Sequence, residues 1–149
     1  MSATPSTAPT SQRLSYKRIM LAGLIAILGA SIANVIVGWI GQMFVSAPGF
    51  MPLTVQNTVI FTAFFLVVAT LIYMLVNRFS RNPVRTFAIV SIVGLVVSLL
   101  PDVLLLVNPG GLPPEMGTPT FGAVMILMLQ HLVGYAIAMW AFLRWAPRG

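Results

Sequence analysis

One aspartate sits inside a long apolar run, in Ser98-Leu99-Leu100-Pro101-Asp102-Val103-Leu104-Leu105-Leu106. No other acidic residue lies within such a run. A carboxyl among apolar side chains must be protonated, paired or hydrated. Ionised near a bilayer centre, it costs roughly 2.5–3.5 kcal/mol, and less toward the interface. The one histidine of the chain, His131, also lies in an apolar run, and Asn34, Thr62 and Gln130 add neutral hydrogen-bonding groups there. Pro101 has no N–H, so it should bend its helix and leave the Val97 carbonyl free for a side chain or water. Residues of these types can bind a proton or a cation, or form the polar floor of a pocket. The reading favoured over these is a satisfied hydrogen-bond network that only fixes helix register.

Other chemistry is poorly provided for. There is no Ser-His-Asp arrangement, glycine-rich phosphate loop or pair of carboxylates, so no enzyme is expected. The absence of cysteine rules out disulfides, thiolate catalysis and cysteine-held metal. A single histidine cannot build a usual zinc site or a bis-histidine haem. The scattered methionines read as apolar filling. No cofactor is therefore expected, which leaves only a pigment or haem that His131 would share with a partner chain.

The elements that must position these residues are apolar helices. The chain has 149 residues, 58% hydrophobic and 7% charged, with a mean hydropathy of +0.98. A soluble domain carries roughly 25% charged residues, so this composition belongs to a membrane protein. Residues 1–15 form an expected disordered cytoplasmic tail, and residues 16–149 a transmembrane domain with helices at about 19–45, 57–77, 85–107 and 120–144. Ser31-Ile32-Ala33 resembles a signal-peptide cleavage site, but the run from Ile19 to Val45 is uncharged for its whole length, which favours an uncleaved span.

All eight basic residues fall on the N-terminal segment, the connection between the second and third spans, or the C-terminus. The positive-inside rule then places both termini in the cytoplasm of a bacterial inner membrane, with loops 46–56 and 108–120 outside. This grouping points to membrane orientation and not to nucleic acid. Short connections imply an all-α, antiparallel up-down-up-down bundle.

Counting from the basic residues sets depth. Arg18 to Asn34 and Arg78 back to Thr62 are each about 24 Å, Arg85 to Asp102 about 25 Å, and Arg144 back to His131 about 20 Å. One polar side chain from each helix thus falls near one level in the outer half of the membrane, with Gln130 at that height on a neighbouring face. Small residues line one face of three helices: Ala22, Ala26, Ala30, Asn34 and Gly38; Ser91, Gly94, Ser98 and Asp102; and His131, Gly134, Ala138 and Ala141. Such stripes are expected to be packing seams, turning Asn34, Asp102 and His131 inward together. No internal repeat relates the two halves, which disfavours an inverted-repeat transporter.

The run Ala30 to Asn34, the segment Ser98 to Asp102, and Met128-Leu129-Gln130-His131-Leu132-Val133, taken in this order and spacing, resemble uncharacterised bacterial four-helix membrane proteins known as domain of unknown function 6069. The resemblance covers about residues 17–145 and implies a four-helix fold with an inward polar layer. It implies no activity. Two functions are expected from the residues: a non-enzymatic membrane component or accessory subunit of a larger complex, and a small proton- or ion-responsive transporter or channel-like protein using the Asp/His/Asn layer. The expected partners are the lipid bilayer and either membrane-protein subunits or further copies of the chain.

Overall fold

The computed structural model describes residues 13–147. Its four long helices are α1 (Tyr16–Phe44), α2 (Val55–Phe79), α3 (Pro83–Val107) and α4 (Phe121–Trp145), and all four are long and apolar enough to cross a membrane. Among the described residues every other regular element is a single 3₁₀ turn, at Met51–Leu53, Pro109–Gly111 and Pro114–Met116. Most of the expected disordered tail, residues 1–12, lies outside the described residues, as does Arg148.

Helix ends follow capping chemistry. Thr54 caps α2 by accepting from the Asn57 N–H, and Thr120 caps α4 by accepting from the Ala123 N–H. Asn82 caps α3 through the Arg85 N–H, and Pro83 occupies the first turn, where its missing N–H costs nothing. Pro83 thus starts a helix, two residues before the expected start of the third span. α3 then runs on through Pro101 without interruption.

α1 and α4 form the closely packed pair. The small residues of α1 (Ala22, Gly23, Ala26, Ala30 and Gly38) are all buried, as are Gly134, Ala138 and Ala141 of α4. Small side chains let helix backbones approach where lipid offers no hydrophobic drive, so contact depends on close packing. A Cβ on Gly38 would sit 2.7 Å from Gln130 Nε2, and one on Gly134 would sit 3.0 Å from Asn34 Nδ2. A Cβ on Gly23 would collide with Thr70 of α2. Along α1 these contacts fall in the order Gly23 with Thr70, Asn34 with Gly134 and Gly38 with Gln130.

α3 is the outlying helix. It buries only Pro83, Phe87 and Asp102. At the end that carries the basic residues, Phe87 stacks on Tyr73 with ring centroids 4.0 Å apart, and both rings meet Phe142 edge-on. Between Phe87 and Asp102, about 22 Å of helix buries no side chain. Gly94 has nothing within 4 Å of its Cβ direction, and the Ser91 and Ser98 hydroxyls donate to carbonyls of their own helix, Ala88 and Leu95. The stripe Ser91, Gly94, Ser98 expected to be an internal seam is therefore only partly covered in this chain, with Gly94 exposed and both serines half-buried. α1 packs most closely against α4, and α3 packs more loosely on α2 and α4, fully burying side chains only near its start and at Asp102.

The far-end loops lock onto each other. Gly117 has φ +76°, and a Cβ there would collide with the Gly49 carbonyl, so only glycine fits. Thr120 Oγ1 donates to the Ser46 carbonyl at 3.2 Å across the same junction.

Candidate functional site

The polar residues gather in two groups on adjacent faces of α4. In the first, Gln130 is buried and its Nε2 donates to the Asn34 main-chain carbonyl at 2.8 Å, in the notch left by Gly38. Asn34, also buried, donates through Nδ2 to Thr62 Oγ1 at 3.1 Å, so α1, α2 and α4 are joined at one level. The sequence reading put Gln130 on a face beside the inward one. The structure puts it at the α1–α4 contact, because α4 packs through 130, 134, 138 and 141 and not through 131.

The second group is Asp102 and His131. His131 Nδ1 lies 3.2 Å from Asp102 Oδ2, and the two side chains are 30% and 6% exposed respectively. The same Nδ1 lies 2.9 Å from the Leu127 carbonyl. A ring nitrogen facing two acceptors carries a hydrogen, which leaves Nε2 as the nitrogen that gains or loses a proton. That hydrogen is directed at the Leu127 carbonyl, so Asp102 Oδ2 is in electrostatic contact with the ring but accepts no hydrogen bond. The expected single layer, with Asn34, Asp102 and His131 turned inward together, is thus two separate contacts, and only a quarter-turn of α4 divides them.

Unpartnered oxygens mark this region. Ser31 Oγ and Asn34 Oδ1, one turn apart on α1, are buried without a hydrogen-bond partner, as is Asp102 Oδ2. Leaving a buried acceptor without a donor costs about 1–3 kcal/mol. One turn beyond Asp102 toward the far end, a cavity of about 220 Å³ lies between α3 and α4, lined by Leu105, Leu106, Pro109, Phe121 and Val124 among others. It lies on the side of Asp102 facing away from the basic end.

Two polar anchors were not read from the sequence as positioning residues. Asn77, 1% exposed, holds the start of α1 by accepting the Leu14 N–H at 2.8 Å and donating to the Leu14 carbonyl at 2.9 Å. Leu14 therefore belongs to the folded unit, although it was expected in the tail. Gln42 donates to the Gly38 and Leu53 carbonyls and ties the far end of α1 to the next turn. An amide within a turn of a helix end is the one available signal for such a clamp.

No curated protein and no solved structure matches this chain. A match over residues 14–148, covering all four helices and both polar groups, shows that the chain belongs to the family described as Family of unknown function (DUF6069).

Proposed function

We propose that this protein is a non-enzymatic, multi-pass component of a bacterial cytoplasmic membrane that responds to protons at Asp102 and His131. The bundle is antiparallel, up-down-up-down, with both termini inside. This orientation is supported by the clustering of basic residues at one end and by the descending order of contacts along neighbouring helices. The observation that carries the functional reading is the Asp102–His131 contact, which is the buried attachment of α3 in its far half. Ionised, the two groups offset each other's desolvation. A change in the proton count leaves one charge uncompensated in a site that solvates it poorly. Gain or loss of one proton then alters how firmly the far half of α3 docks on α4.

The absence of native cysteine makes the test direct, because spin labels can be placed at Val107 and Phe121 alone. The account expects their distance distribution in lipid to change between alkaline and acidic buffer. It also expects the Asp102→Asn/His131→Gln variant to show one distribution at both. A wild-type distance independent of pH contradicts it.

A second reading, an accessory subunit that accepts a partner helix against α3, is supported by the partly covered Ser91–Gly94–Ser98 face and the open space at Gly94.

A further inference from the structure

At the basic end, α2 and α3 part around their connection and leave a shallow groove of about 370 Å³, lined by Leu75, Val76, Phe79, Ser80 and Thr86. Most of this wall is apolar, and Leu75 and Phe79 are well exposed along it. The guanidinium carbon of Arg78 lies 5.6 Å from the centre of the Phe79 ring, so a fixed cation covers one wall. Arg81 follows Ser80, Arg85 precedes Thr86, and both arginines are exposed. The Ser80 and Thr86 hydroxyls share one hydrogen bond of 2.8 Å, which leaves the second hydroxyl hydrogen to donate elsewhere.

Charge balance says what fits there. The two acidic residues of the chain are Asp102, about 25 Å along α3 from Arg85, and Glu115 in the loop beyond it. Among the described residues no carboxylate pairs with an arginine or lysine; the single ion pair is Asp102 with His131. Arg78 thus stands over one wall of the apolar groove, and Arg81 and Arg85 are the chain neighbours of two of its lining residues, all three without a carboxylate partner among the described residues. Arginine's fork of N–H donors matches phosphate oxygens, and basic residues flanking a span attract anionic headgroups.

We infer that this groove binds an anionic phospholipid. One acyl chain lies against Leu75, Val76 and Phe79, and the phosphate is held by Arg78, Arg81 and Arg85 with a hydroxyl hydrogen from the Ser80–Thr86 pair. A free phosphate would satisfy the arginines but leave the apolar wall unused. A zwitterionic lipid would fill the wall but bring its own cation to the arginines.

The test uses the full chain in neutral detergent. Thermal unfolding is followed with added phosphatidylglycerol, phosphatidylcholine of the same acyl chains, or inorganic phosphate, and bound lipid is counted by native mass spectrometry. Phosphatidylglycerol alone should raise the midpoint and remain bound. Replacing Arg78, Arg81 and Arg85 together with Gln should weaken its binding by at least roughly tenfold, whereas replacing Arg13, Lys17 and Arg18 with Gln should leave it intact. Phe79→Gln removes an exposed wall residue and keeps all three arginines, so it tests the groove without disturbing the fold, and it too should weaken phosphatidylglycerol. Equal stabilisation by phosphatidylcholine or by inorganic phosphate overturns the inference, as does equal loss of lipid in the two triple variants or unchanged binding in Phe79→Gln.

Discussion

Asp102 Oδ2 and His131 Nδ1 lie 3.2 Å apart, and this contact joins α3 to α4 where α3 buries no other residue beyond Phe87. The attachment at the basic end is apolar and aromatic, built of Phe87, Tyr73 and Phe142. The far one is the Asp102–His131 contact, which the proposed function makes the proton-responsive attachment. A helix hinged at a stacked Phe87–Tyr73 pair and latched by an ionisable pair has a fixed end and an adjustable end.

The two glycines Gly38 and Gly94 separate the packed seam from the open one. Gly38→Ala should destabilise the purified protein by about 1–3 kcal/mol, because the new methyl meets Gln130 Nε2 where that atom is held by the Asn34 carbonyl. Gly94→Ala should be neutral or stabilising by up to about 1 kcal/mol, since its Cβ meets nothing and alanine favours the helix. Thermal unfolding in detergent checks both. Gly94→Leu extends the comparison to the accessory-subunit reading: it should remove a partner helix in the membrane while leaving the isolated chain folded.

Much of this arrangement could be read before any coordinates. Four uncharged runs specified four helices, since only a helix satisfies its own backbone in lipid. The ends moved by up to three residues because caps such as Thr54 and Asn82 lie outside the apolar runs that mark the helices. The facing of Gln130 and His131 was harder to read. Adjacent residues are about 100° apart on a helix, and the stripe Gly134, Ala138, Ala141 continues to either one. Which one meets α1 depends on the notch at Gly38, a tertiary feature. The α3 stripe misled for a related reason: small residues state that a backbone can approach, not which helix does so.

Orientation can be checked with single cysteines in the cysteine-free chain. Glu115→Cys should react with an impermeant thiol reagent on intact cells, and Arg81→Cys only after permeabilisation, since both positions are exposed at opposite ends of the bundle. The reverse pattern would invert the topology and move the protonation site to the cytoplasmic half.

The most direct test is a thermodynamic cycle on Asp102 and His131, read by thermal unfolding of Asp102→Asn, His131→Gln and the double variant in one detergent. Each single change strands its partner in a poorly solvated site, and breaking such a pair from one side costs up to about 3–5 kcal/mol when it is fully buried. His131 is 30% exposed, so the loss here should be smaller. The double variant carries no stranded charge. The account predicts that it loses clearly less stability than the two single losses added together, with a coupling of about 0.5–3 kcal/mol. Losses that simply add would mean that the 3.2 Å contact carries no energy and that α3 is not latched by a titratable pair.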